Sequence, residues 1–73
     1  MNLADYRVIE IRDANGIIKL STTTLIFDER SYYRIESTYI YDKHKIKSMN
    51  LIEERIIFHM DDGDVILKVQ EKK

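Results

Sequence analysis

Apolar and polar residues alternate most clearly over residues 55–70, and this alternation predicts a β-hairpin. Asp62-Gly63 divides the stretch, and a two-residue turn there suits residues that accept positive φ at little cost. The turn predicts a core face made of three apolar pairs: Met60–Val65, Phe58–Leu67 and Ile56–Val69. The opposite face is then predicted to hold the pairs His59–Ile66, Ile57–Lys68 and Arg55–Gln70.

A second hairpin is predicted over residues 6–21, because Asn15-Gly16 lies between two apolar stretches. A two-residue turn at Asn15-Gly16 pairs Ile11 with Leu20. A four-residue loop over residues 13–16 instead forms the pairs Ile11–Ile18, Ile9–Leu20 and Glu10–Lys19. The longer loop is slightly favoured, because the shorter one sets Arg12 against Lys19 and like charges directly opposite each other are unfavourable. Either loop puts the same four residues on one face: Ile9, Ile11, Ile18 and Leu20.

The middle of the chain carries shorter apolar stretches that are separated by polar turns. A turn tip at Glu29-Arg30 predicts that Ile26 lies opposite Tyr33. The same tip sets Thr24 opposite Ile35. Strands are predicted over residues 21–27, 32–36 and 39–41, with turns at residues 28–31 and 42–45.

Residues 46–60 fit two interpretations. Ser48 could cap a helix whose apolar stripe consists of Met49, Ile52, Ile56 and Met60. The strand interpretation is preferred, because Ile56-Ile57-Phe58 is β-branched and aromatic and leads into the Asp62-Gly63 turn.

Turn signals recur near residues 15, 29, 43 and 62, with a weaker one at Glu53-Glu54. This spacing predicts an all-β fold, a small antiparallel meander of six or seven short strands. The meander would be closed as a small barrel or folded as a two-layer sandwich. With a helix over residues 49–60, the class would be α+β. The 73 residues are expected to form a single domain, with residues 71–73 as a frayed tail.

The composition limits how this domain can be stabilised. A chain of 73 residues has a marginal core, and natural domains of this size add disulfides, a metal or a partner chain. The chain has no cysteine, which excludes disulfides and thiolate metal sites and fits a cytoplasmic location. Met1 to Asp5 show neither the basic start nor the apolar run of a signal peptide, and no membrane association is expected.

No motif for catalysis or cofactor binding is present in the sequence, so a non-enzymatic protein without a cofactor is expected. Asp61, Asp62 and Asp64 surround Gly63, but the ligand spacing of a calcium loop is missing, so a polar hairpin tip is predicted. His59 is expected on the face opposite Phe58, as a half-covered strand residue. No metal site is predicted.

Residues 30–47 form a basic-aromatic segment. Five basic and two acidic residues give it a local charge of +3, although the whole chain carries −1. Such residues fill a core rim, anchor protein interfaces, or stack the bases of single-stranded nucleic acid. Core filling by Tyr33 and one other tyrosine is preferred, followed by a protein interface and then by nucleic acid. The candidate binding residues are Tyr32, Arg34, Tyr39, Tyr41, Lys43, Lys45 and Lys47.

Some apolar residues are predicted on the faces that point away from the core. Ile57 and Ile66 are two of these, and Val8 and Ile17 are their counterparts in the first hairpin. A two-fold interface would cover them. The sequence therefore predicts a non-enzymatic interaction or assembly module that forms a homodimer.

Overall fold

The computed structural model describes residues 2–71, without the side chain of Ser21. The fold is all-β, as predicted, and the alternative of a helix over residues 49–60 is wrong. Short 3₁₀ turns cover Leu3–Asp5 and Lys43–Lys45. The strands are β1 (Tyr6–Asp13), β2 (Gly16–Asp28), β3 (Tyr32–Ile35), β4 (Tyr39–Asp42), β5 (Ile46–Ile52), β6 (Arg55–Met60) and β7 (Gly63–Glu71).

The seven strands are all antiparallel and follow the order β4-β3-β2-β1-β7-β6-β5. The long strand β2 belongs to two sheets, because residues 16–19 and 24–25 pair with β1 and residues 26–28 pair with β3. A five-stranded sheet, β2-β1-β7-β6-β5, thus continues into a three-stranded sheet, β2-β3-β4. Strands β4 and β5 are the two edges of this order. Within residues 2–71 they do not pair with each other, so hydrogen bonds do not close a barrel.

The predicted core face of the terminal hairpin is confirmed, but its predicted register is wrong by two residues. Phe58 lies opposite Val65, Ile57 opposite Ile66, and the tip is Asp61-Asp62. Gly63, which was predicted to be the second residue of the turn, instead follows the tip and has a φ of 127°. A shift of two residues keeps every side chain on its face. The buried residues of this face are Ile56, Phe58, Val65, Leu67 and Val69, and Met60 is half-buried.

The first hairpin has the same kind of turn. Ala14-Asn15 forms the tip, Gly16 follows with a φ of 131°, and the Asn15 amide donates to Oδ1 of Asp13 at 2.8 Å. The predicted pairs Ile11–Ile18 and Glu10–Lys19 are confirmed, whereas the pair Ile9–Leu20 does not form. The predicted pairs of β2 and β3 are also wrong by two residues, since Ile26 lies opposite Ile35 and Tyr33 opposite Asp28.

Two extra residues change which side chains face the core. Val8 pairs with Val69 and Glu10 with Lys68, so Ile9 forms a bulge without a partner on β7. The bulge reverses the alternation, and Val8 is fully buried. The prediction that Val8 lies on an outer, self-associating face is therefore wrong. Lys47 is a second extra residue, between the pairs Ile46–Met60 and Ser48–His59.

Phe58 lies at the centre of the core, between the two sheets. The Tyr33 ring from β3 stacks on it at 5.5 Å between ring centroids, and the Tyr41 ring from β4 meets it edge-on at 5.8 Å. Tyr33 is buried and Tyr41 half-buried, as expected if tyrosines fill the core rim. The other core residues are Leu3, Val8, Ile11, Ile26, Ile35, Ile56, Val65, Leu67 and Val69.

The C-terminal strand extends further than predicted. Glu71 is the last residue of β7 and pairs with Tyr6, so Glu71 does not belong to a frayed tail. Lys72 and Lys73, the rest of that predicted tail, lie outside the described residues. Among residues 2–71, no helix has the length and apolar character needed to cross a membrane.

Candidate interaction surface

The outer face of the five-stranded sheet carries a row of isoleucines. Arg12 of β1 lies opposite Ile17 of β2 on one side and opposite Ile66 of β7 on the other, and Ile66 lies opposite Ile57 of β6. Directly opposed residues of adjacent strands project from the same face, so these four side chains share one line. Ile17 is 53% exposed, while Ile57 and Ile66 are half-buried. We call Ile17, Ile66 and Ile57 the isoleucine row.

The charged neighbours of the isoleucine row differ between its two sides. On one side lies the basic flank, which consists of Lys19, Glu10, Lys68 and Arg55 in consecutive strands. Glu53 and Glu54 lie next to Arg55 and Lys68 at the far margin of this flank. On the other side lies the acidic flank, which consists of Asp64, His59 and Ser48. The Asp61-Asp62 tip follows directly beyond Asp64.

A concavity of about 390 Å³ opens on this face. Ile57 and Ile66 contribute its apolar surface, and its charged lining residues are Glu10, Arg12, Arg55 and Lys68. Within residues 2–71, none of the three cations has a carboxylate oxygen within 4.0 Å. An apolar centre with polar margins is the usual anatomy of a protein interface.

His59 links three strands across the acidic flank. Its Nδ1 lies 3.1 Å from Oδ1 of Asp64, and its Nε2 lies 2.9 Å from Nδ2 of Asn50. The amide nitrogen of Asn50 is a donor, so Nε2 accepts in this arrangement and Nδ1 donates to the carboxylate. The sequence had not indicated Asp64 as a partner, because the two-residue error in register set His59 opposite Ile66.

The structure divides the predicted basic-aromatic residues between several surfaces. Tyr39 and Tyr41 point inward and pack against the core, and Tyr32 and Arg34 share the outer face of the three-stranded sheet. Lys45 is exposed in the second 3₁₀ turn. Lys47 is exposed at the β5 bulge, 3.6 Å from Asp61. Lys43 and Lys47 line one concavity and Tyr41 and Lys45 line another, so the structure brings these four together only in pairs.

Lys43 is held by contacts within the domain. Its Nζ lies 2.5 Å from Oδ1 of Asp28 and 4.7 Å from the centre of the Tyr33 ring. The hydrogen bond to Asp28 raises the pKa of Lys43 above its ordinary value. Together with the inward tyrosines, these contacts favour a structural role for the segment over nucleic-acid binding.

A smaller apolar group lies on the outer face of the three-stranded sheet, and sequence reasoning had missed it. Phe27 is 39% exposed and Ile40 is 55% exposed. Arg34 of β3 lies opposite Phe27 of β2 on one side and opposite Ile40 of β4 on the other. Its guanidinium lies 4.3 Å from the centre of the Phe27 ring. This patch spans three short strand segments, so the isoleucine row on the larger sheet remains the main candidate.

Stability should fall in alkaline solution because of Tyr41. Burial, and then the nearby charge of Asp13, raise the pKa of Tyr41 from 10.0 to about 12. The folded domain therefore keeps this proton at a pH where the unfolded chain releases it. The resulting stabilisation is complete below pH 10 and is lost as the pH rises towards 12.

Urea unfolding at a series of pH values measures this loss. Tyr41→Phe should make the free energy of unfolding fall less steeply over the same range. Tyr32→Phe, on the outer face, is the matched control and should keep the wild-type slope. Equal slopes for wild type and Tyr41→Phe would contradict the assignment to Tyr41.

The acidic hairpin tip has the character predicted from the sequence. Asp61 and Asp62 are exposed tip residues, and Asp64 is bound to His59. In the part of the chain that the structure describes, no three His, Asp or Glu side chains converge in a way that could hold a metal ion.

Comparison of the chain with protein-family models, with curated proteins and with solved structures finds no match.

Proposed function

We propose that this chain is a non-enzymatic assembly module that forms a homodimer through the outer face of its five-stranded sheet. The observation that supports this proposal is the isoleucine row, in which three apolar side chains lie together on a face turned away from the core. Ile66 and Ile57 are adjacent in the row, and Ile17 lies beyond Arg12. Apolar side chains on an outer face, with polar margins, are typical of a protein interaction site.

The energetics favour a partner for this face. Complete burial of an exposed isoleucine contributes about 1.5–3 kcal/mol, and burial of the half-buried Ile57 and Ile66 contributes less. In a two-fold interface each of these residues is buried in both copies. Part of this gain is offset by the lost freedom of the two copies. Because a 73-residue domain without disulfides has little stability to spare, association also contributes to its folding. The proposal includes a cytoplasmic location, with which a chain without cysteine is compatible.

Light scattering across a wide concentration range tests the proposal. We expect the mass of a dimer at high concentration and a melting midpoint that rises with concentration, because association favours the folded state by mass action. The double variant Ile57→Thr/Ile66→Thr should be a folded monomer, since threonine keeps the β-branched shape but removes apolar surface.

The matched control is Ile40→Thr, which makes the same change on the outer face of the other sheet. Ile40 is 55% exposed, so this variant should dimerise like the wild type. A wild-type chain that stays monomeric at every concentration, with a constant melting midpoint, would refute the proposed function.

A further inference from the structure

Residues of opposite charge lie at equal distances on the two sides of the isoleucine row. Asp64 precedes Ile66 by two residues on β7, and Lys68 follows it by two. Each therefore lies about 7 Å from Ile66 along the strand, on opposite sides of the row. His59 and Arg55 flank Ile57 in the same way on β6. The basic and acidic flanks are thus equally distant from the row.

Only some two-fold axes bring opposite charges together across such a face. When two copies pack face to face through the same surface, the axis lies in the plane between them. An axis parallel to the strands sets each flank against the same flank of the second copy, so that Asp64 of one copy cannot meet Lys68 of the other. An axis along the isoleucine row exchanges the flanks, so that the basic flank of each copy meets the acidic flank of the other. Complementary charges fix the register of an interface, and like charges disfavour it.

We propose that two copies pack with their two-fold axis along the isoleucine row, so that Lys68 of each copy faces Asp64 of the other. This inference rests on the proposed function and adds the orientation of the two copies. The isoleucine rows then meet at the centre, and the two sheets pack with their strands aligned to within about 30°.

Chemical cross-linking tests the orientation directly, because the chain has no cysteine of its own. The single variants Asp64→Cys and Lys68→Cys are treated with a short bis-maleimide, whose reach matches the ~10 Å between packed sheets. Neither variant alone should cross-link efficiently, and an equimolar mixture of the two should give a covalent dimer. Efficient cross-linking of Asp64→Cys alone would instead indicate an axis parallel to the strands and would overturn the inference.

Charge reversal tests the same contact by affinity. Lys68→Glu should raise the dissociation constant of the dimer about tenfold, because it sets a carboxylate against Asp64. An equimolar mixture of Lys68→Glu and Asp64→Lys should return to the wild-type value. Lys45→Glu makes the same change at an exposed residue outside this face and should leave the dissociation constant unchanged. Circular dichroism of each variant checks that the fold is retained.

The two proposals fail in different ways. A monomeric wild-type chain would refute the proposed function, and the orientation with it. A dimeric wild type that loses its dimer in Ile57→Thr/Ile66→Thr, but keeps its affinity in Lys68→Glu, would support the function and refute the orientation alone.

Discussion

Replacing Phe58 with alanine should lower the free energy of unfolding by about 3–5 kcal/mol, because the change removes a large buried ring and leaves a cavity. Phe58 is fully buried, and the rings of Tyr33 and Tyr41 pack against it from the opposite sheet. Aromatic pairs of this kind add to the effect of burial alone. Since small domains have a total stability of about 5–15 kcal/mol, the variant should be close to unfolding at ambient temperature.

Urea unfolding at one fixed protein concentration measures the effect of Phe58→Ala. Phe27→Ala provides the matched control, since it removes the same ring from an outer face where Phe27 is 39% exposed. The control should lose less than half as much stability. Equal losses for the two variants would contradict the position of Phe58 at the centre of the core.

The second large effect is expected at Val8, where aspartate should prevent folding. Val8 is fully buried beside Val69, so the variant would place a carboxylate in the core without a partner. An unpaired buried charge costs several kcal/mol, which exceeds what a marginal domain can lose. Circular dichroism should show an unfolded chain for Val8→Asp at neutral pH.

Ile40→Asp is the control for Val8→Asp. It makes a change of similar size at a residue that is 55% exposed, on the outer face of the three-stranded sheet. This variant should fold. A folded Val8→Asp variant would mean that Val8 faces solvent, as simple alternation along β1 suggests, and that the bulge at Ile9 is absent.

The sequence was sufficient to predict most of the strands. It also predicted which side chains of the terminal hairpin lie on the core face and which lie on the outer face. Gly16 and Gly63 mark the two hairpin turns, and both have positive φ. The tip of the terminal hairpin lies one residue earlier than predicted, so its pairs differ by two residues, whereas the register of the favoured loop over residues 13–16 is confirmed. Side chains alternate with a period of two, and an error of two residues therefore leaves each on the correct face. For this reason the isoleucines at 57 and 66 were placed correctly although their partners were not.

The alternation of apolar and polar residues along the chain cannot reveal the two bulges. A single extra residue reverses the alternation on one side of it. Ile9 and Lys47 are such residues, and each is recognised only by the pairing of its strand with a neighbour. Simple alternation therefore assigns Val8 to the outer face.

The order of the strands was also decided by the tertiary structure. Antiparallel pairing of β1 with β7 joins the two ends of the chain and makes the five-stranded sheet. This pairing brings Ile17 into line with Ile66 and Ile57, which are distant from it in sequence. The sequence by itself indicated most of the strands and determined which faces the terminal hairpin presents, because both depend on neighbours along the chain. The isoleucine row, its charged flanks and the burial of Val8 depend on contacts across strands, and those contacts exist only in the folded domain.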